Sequence, residues 1–183
     1  MSTAVLERYS VEEFLDLPDA ERFELINGEL KEREMSLKSI RAGERLAARL
    51  STFPGSDSRG VVFGDGVPLD IFGGGYVPRP DGVFITFDRL GTKDPDGGTL
   101  VVAPELVIEV VSLHDKANEV ETKVRAYLVA GIQLVWVLYP LPRRVHIYRA
   151  DGTATVLDAS GVLTGEDILP GFSVAVADLF PWE

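Results

Sequence analysis

The chain has no cysteine and only two histidines, His114 and His146. The first absence excludes a disulfide scaffold, a thiol nucleophile and cysteine-ligated zinc or iron–sulfur sites. The second leaves little material for a histidine-rich metal site. Long apolar runs are missing as well. Even the stretch 134–142 falls well short of the roughly 20 residues that a membrane span requires. The opening, Met1 to Arg8, has no apolar segment of the kind a signal peptide carries. These absences predict a cytoplasmic, soluble protein with no membrane partner. Basic residues are scarce too: 18 Lys and Arg face 29 Asp and Glu, a formal net charge of −11. That excludes a general nucleic-acid coat protein, which is normally basic. It leaves room for an enzyme that grips a phosphodiester through a local basic patch and a metal ion.

No repeat, low-complexity segment or linker divides the 183 residues. A length in the range of about 100–200 residues per domain predicts one domain, 1–183. Ser10 with Glu13 fits a capping box and predicts a short helix, ended by Leu17-Pro18-Asp19. Asn27-Gly28 between 23–26 and 29–32 predicts a hairpin. Residues 36–53 read as an amphipathic helix with Ile40, Leu46, Ala47 and Leu50 on its apolar stripe, stopped by Pro54-Gly55-Ser56. Strands are predicted at 61–63, 67–72 and 83–87, with a turn at Gly73–Gly75 and a polar loop at 89–98. Further on come a strand at 106–111, a helix at 115–130 with Gly131 just beyond it, and strands at 134–139, 145–149 and 153–157. The segment 168–172 is expected to pack back on the core. Strands outnumber helices and one βαβ unit sits in the middle. The fold class is therefore a mixed α/β sheet with helices against it.

The segment Pro104 to Ser112 carries the chemistry. Period two places Leu106, Ile108 and Val110 on one face and Val107, Glu109 and Val111 on the other. A strand apolar on both faces is buried on both sides. Glu109 is then a carboxylate in a core strand, and burying it unpaired costs several kcal/mol. A cation must compensate, either a metal ion or a lysine. Lys123 lies roughly 10 Å into the following helix. Glu109 lies roughly 10 Å before the strand end, so the two reach the same level. The alternative for Lys123 is an exposed i,i+4 bridge from Glu119. Asp81 follows Pro80 at the start of an apolar strand, where it is either a turn residue or a second acid. Glu24, inside 23–26, is either a surface strand residue or a third. Two or three carboxylates with one lysine suit a hard cation, Mg²⁺ or Mn²⁺. Such a set suits phosphodiester hydrolysis, with the metal polarising a phosphoryl oxygen and the lysine orienting water.

In order and spacing these segments resemble the Uma2-like (DUF820) family of the PD-(D/E)XK nuclease superfamily. The resemblance rests on Phe23-Glu24-Leu25-Ile26-Asn27-Gly28-Glu29, on Arg79-Pro80-Asp81 with Val83-Phe84-Ile85, and on Pro104 to Ser112. Lys123 with Tyr127, Ala130 and Gly131, then Tyr139-Pro140 and Leu169-Pro170-Gly171-Phe172, extend it over nearly the whole chain. The resemblance implies a restriction-endonuclease-like core and a metal-dependent endonuclease acting on DNA. It implies that Asp81 and Glu109 hold Mg²⁺ or Mn²⁺, with the Val110 carbonyl as a third ligand. Lys123 would be the superfamily lysine, moved from strand to helix, since Val111 stands where the usual motif has it. Glu24 would be the auxiliary acid. Two departures stand out: 39–42 lacks the histidine of many relatives, and Ser112-Leu113 replaces a Ser-Pro.

Alternative readings are a non-catalytic binding or assembly module on the same fold, and a metal hydrolase of small phosphoesters. Lys38, Arg41, Arg45 and Arg49 form either a track for phosphates or a solvated helix face. His114 reads as a loop residue and His146 as an exposed strand residue. Trp136 and Trp182 read as packing residues. The superfamily's frequent dimers make a homodimer the expected assembly, with Phe180 and Trp182 as candidate interface residues.

Overall fold

Ser10 opens the first element as the capping box requires: its hydroxyl accepts from the Glu13 amide while the Glu13 carboxylate accepts from the Ser10 amide. The helix α1 (Val11–Leu15) buries Phe14. A 3₁₀ turn, Ala20–Arg22, leads into the hairpin of β1 (Phe23–Ile26) and β2 (Glu29–Glu32). Asn27 and Gly28 both take positive φ, 54° and 83°, as a tight two-residue hairpin turn demands. The computed structural model describes residues 8–64, 66–91 and 98–182. Expectations for residues 1–7, and for most of the loop at 89–98, fall outside the described residues.

The main sheet has six strands in the order β3 (Gly60–Phe63), β4 (Gly82–Thr86), β5 (Leu106–Val110), β6 (Leu134–Tyr139), β7 (Arg144–Arg149) and β8 (Ala154–Leu157). Only β5 and β6 run parallel. A parallel pair needs a crossover, and α5 (Ala117–Val129) supplies it. Gly131 takes φ +90° just past that helix. Helix α2 (Leu37–Ser51) covers the opposite face, together with a second hairpin, β9 (Val162–Gly165) and β10 (Leu169–Ala175), and the turn α6 (Val176–Leu179). The expected mixed α/β sheet flanked by helices is the observed architecture. No described helix is long and apolar enough to cross a membrane.

Alternation along β5 sorts the two cores as expected. Leu106, Ile108 and Val110 join α2 and the second hairpin around Trp136. Val107 joins Val124, Tyr127 and Ile132 under α5. Every residue of β5 is buried. Each fully buried Leu or Val contributes about 1.5–3 kcal/mol by leaving water, so both faces fix the strand's register. A third, smaller core (Phe14, Ala20, Leu25, Val77) holds the N-terminal hairpin. It joins the body where Leu25 and Val77 exchange backbone hydrogen bonds. At Gly75, φ +71°, a Cβ would stand 3.1 Å from the Gly28 amide nitrogen. Glycine there lets the loop press on the hairpin turn, where the Gly28 amide donates to the Gly75 carbonyl.

Several local expectations need correcting. Pro54 does not end helical structure; it occupies the first turn of a short helix, α3 (Pro54–Arg59), where its missing amide proton is not needed. Residues 67–72 form no strand beyond one bridge, Leu69 to Leu100, because Pro68 interrupts the ladder. The strand at 83–87 gives way after Thr86 to one helical turn, α4 (Phe87–Leu90), capped by the Thr86 hydroxyl. On α2 the buried stripe is Ser39, Ala42, Leu46 and Leu50, with Ile40 and Ala47 only half-buried. Phe180 is completely buried inside its own chain and is not available to a partner. Trp182 is partly buried, with the Lys38 ammonium 5.8 Å from its ring centroid.

Candidate active site

Four segments converge at the end of β5. Glu24 comes from β1 of the small hairpin, and Asp81 sits one residue before β4. Glu109 is the fourth residue of β5, while Lys123 and Tyr127 lie one turn apart on α5. Glu24, Asp81, Glu109, Val110 and Lys123 all line one cavity of about 60 Å³, room for several waters. Residues separated by up to 99 positions along the chain, Glu24 and Lys123, are in direct contact there.

Lys123 is the hub. Its Nζ lies 2.7 Å from Glu24 Oε1 and 3.4 Å from each carboxylate oxygen of Glu109. The alternative bridge to Glu119 is not what forms: Glu119 accepts from Lys31 at 2.7 Å and lies 3.5 Å from Lys116. Tyr127 donates its hydroxyl to Glu109 Oε1 at 2.5 Å. The Arg79 amide donates to Glu24 Oε1 at 2.8 Å. Asp81 Oδ2 accepts from the Val110 amide at 2.6 Å, which ties the loop before β4 to the end of β5. Arg33 Nη2 stands 3.7 Å from Asp81 Oδ1.

Charge is unbalanced here. One ammonium serves Glu24 and Glu109, with Asp81 near enough to feel it. Burial opposes the Lys123 charge, but Glu109 and Glu24 outweigh it and hold its pKa above the ordinary lysine value. Lys123 therefore stays protonated and acts as a donor, not a base. Burial pushes the Glu109 carboxyl up despite Lys123. Burial first, and the Glu109 charge second, push Asp81 well above the usual carboxylate range. Tyr76, beside the same groups, is pushed up to about 12, mainly by burial. Among the described residues the cavity lining carries seven carboxylates against four basic side chains.

A surplus of buried carboxylate is what a hard divalent cation offsets. Asp81 and Glu109 supply oxygen donors of the right type, and Mg²⁺ commonly takes only one or two protein carboxylates and keeps several waters. Among the described residues no group of three or more acidic or histidine side chains encloses a metal by itself. A cation held here would complete its coordination with water, a backbone carbonyl or substrate.

Two participants escaped the sequence reading. Arg33 gave no local signal, since it lies just past β2 in a run of alternating charge. Tyr127 entered only among the residues of the family resemblance, with no role; its i,i+4 spacing from Lys123 brings its hydroxyl to Glu109. The proposed basic track on α2 is divided. Arg45 donates to the Asp178 carbonyl and Arg49 pairs with the Asp178 carboxylate. His114 is exposed, while His146 is half-buried and packs its ring 4.4 Å from that of Tyr139.

The family model Uma2, described as "Putative restriction endonuclease", matches residues 11–177. A crystal structure titled as "a putative nuclease belonging to DUF820 from Anabaena variabilis ATCC 29413" has a similar fold, with a TM-score of 0.82. The two sequences are 20% identical, and the match covers 95% of this chain and 98% of that one. No curated protein matches the chain.

Proposed function

The chain belongs to the Uma2 family, and from that membership we propose that it is a metal-dependent nuclease hydrolysing phosphodiester bonds of DNA. The observation that supports this most is the meeting of Asp81, Glu109 and Lys123 on one cavity with excess negative charge. In this reading Asp81 and Glu109 hold Mg²⁺ or Mn²⁺, and the Val110 carbonyl is available as a further oxygen donor. Bound there, the cation supplies Lewis acidity toward a phosphoryl oxygen and makes water acidic enough to attack at neutral pH.

The chain's own groups do the rest. The Val110 amide fixes the Asp81 carboxylate. Tyr127 fixes Glu109, which leaves that side chain one preferred orientation. Glu24 holds the Lys123 ammonium at the cavity wall. Lys123, its pKa held above the ordinary lysine value by Glu109 and Glu24, orients the attacking water and offsets the charge that grows on the phosphate. The test is cleavage of supercoiled plasmid in Mg²⁺ or Mn²⁺. The wild-type chain yields nicked or linear DNA, and Asp81→Ala, Glu109→Ala and Lys123→Ala each lose about 100-fold or more. Equal activity in all four proteins discards the assignment.

One observation favours a second reading, a non-catalytic module on the nuclease fold. Each carboxylate of the cluster already has a protein donor. Metal calorimetry separates the two, because a closed ion-pair network gives no heat with Mn²⁺.

A further inference from the structure

A second concavity adjoins the acidic cavity and has the opposite chemistry. It is bounded by the first turn of α2 at 36–39, by the chain leaving β5 at 111–113, and by the β6–β7 connection at 139–142. Its volume is about 420 Å³, within the range of pockets that take small organic ligands. The wall is mostly carbon. Leu37, Leu113 and Leu141 expose 85%, 64% and 61% of their surface, and Pro140, Pro142 and Tyr139 complete it. Exposed apolar surface gathered in one hollow, not scattered singly, marks a binding site.

Its charge is also distinctive. Among the described residues Lys38 is the only charged side chain in the lining, and no carboxylate contributes. This holds in a chain of net charge −11, beside a cavity with seven acids. Val111 belongs to the walls of both cavities. The Ser39 hydroxyl donates to the Val111 carbonyl at 3.0 Å, which pins that partition to α2.

We propose that this pocket receives an unstacked nucleobase of the strand whose phosphodiester lies in the acidic cavity. The proposal rests on the nuclease reading and extends it to how substrate is held. A nucleotide next to the reacting phosphate must place its base somewhere, and a shared wall puts an apolar receptacle directly alongside. The exposed leucines and the prolines offer apolar surface to a heterocycle, and Tyr139, whose ring is tilted against that of His146, is the wall's aromatic residue. Lys38 meets the anionic backbone, and the missing carboxylates leave that backbone unopposed. A base must leave its stack to enter, so unpaired or frayed DNA is the preferred substrate. A second copy of the chain fits less well. Eleven residues line the pocket, whereas a stable interface takes about 20–30 on each side.

The test is fluorescence anisotropy in Ca²⁺ with two fluorescein-labelled probes, a short oligodeoxyadenylate and an abasic strand of equal length. The wild-type chain binds the base-bearing strand about ten-fold tighter than the abasic one. Leu113→Gln and Leu141→Gln, both at exposed positions, remove most of that preference, leave abasic binding unchanged and keep the melting temperature. Equal wild-type affinity for both probes overturns the proposal, as does an unchanged preference in the variants. Sedimentation tests the competing occupant: a wild-type dimer that Leu141→Gln dissociates, with oligonucleotide preference intact, assigns the pocket to a second copy and overturns the proposal. Because binding is read apart from cleavage, the two readings fail separately. Base preference without plasmid cleavage removes the nuclease and keeps the pocket. Cleavage without base preference removes only the pocket.

Discussion

Two buried glutamates stand at opposite ends of β5, and their surroundings differ. Glu105, just before the strand, accepts from the Thr86 amide at 2.9 Å and the Thr86 hydroxyl at 2.8 Å. Arg89 lies 3.2 Å away and provides one positive charge for one negative. Glu109, four residues on, shares Lys123 with Glu24 and has Asp81 as a charged neighbour. Both glutamates are almost equally buried, at 7% and 9% exposure, so burial alone does not separate them. The balance of charge does. A matched pair fastens β4 to β5. A surplus of carboxylate raises the free energy of the folded chain and persists only where something else uses it.

The largest effect expected from this contrast comes from removing the cation at each end. Lys123→Met strands buried carboxylates and lowers unfolding free energy by about 3–5 kcal/mol. Arg89 has 31% of its side chain exposed, so Arg89→Met costs under about 2 kcal/mol, with Thr86 still satisfying Glu105. Urea unfolding measures both, and equal losses break the comparison. Neutralising the acids sharpens it next. Glu105→Gln destabilises by about 1–2 kcal/mol and leaves plasmid cleavage intact. Glu109→Gln leaves stability level or raised by about 1 kcal/mol, because it relieves a buried like-charge contact, and abolishes cleavage. Opposite signs in the two variants are the expected outcome.

A smaller effect appears with pH in metal-free protein. Asp81 and Glu109 have raised pKa values in the folded chain. The folded state therefore holds more protons than the unfolded state, from the unfolded carboxylate value of about 4 up to the raised values. Stability from these groups is greatest at the acid end of that window and falls as pH rises through it. Denaturation of Asp81→Asn beside wild type isolates this, and the variant's advantage grows with pH. The smallest effect is at the rim. Lys31 and Glu119 leave 41% and 36% of their side chains exposed. Lys31→Ala thus changes stability by under about 1 kcal/mol, screened further by salt.

The sequence reveals what repeats or what stands out against its neighbours. A charge inside an apolar strand marks Glu109, and the alternation around it places both cores. Asn27-Gly28 fixes the hairpin that carries Glu24. Matching depth along strand and helix makes Lys123 a candidate partner beside the alternative bridge to Glu119, and the observed 3.4 Å contact is with Glu109. What stays hidden depends on long-range approach. Glu105, just after Pro104, gives no local signal, and only Arg89 and Thr86, 16 and 19 positions upstream, show that it is matched. Arg33 reaches Asp81 across 48 positions, a contact no local pattern carries. The β9–β10 hairpin escapes because Gly165, Pro170 and Gly171 break its alternation, and its register shifts between Leu169 and Ser173. Residues 67–72 mislead in the other direction: apolar alternation suggests a strand, but Pro68 and the glycines after it prevent a ladder.

Calorimetric titration of Mn²⁺ into wild type, Glu105→Gln and Glu109→Gln tests most directly whether the surplus-acid end of β5 is a cation site. The account predicts saturable binding of the ion by wild type and Glu105→Gln, and loss of that binding in Glu109→Gln. No heat with wild type, or equal binding by Glu109→Gln, contradicts it.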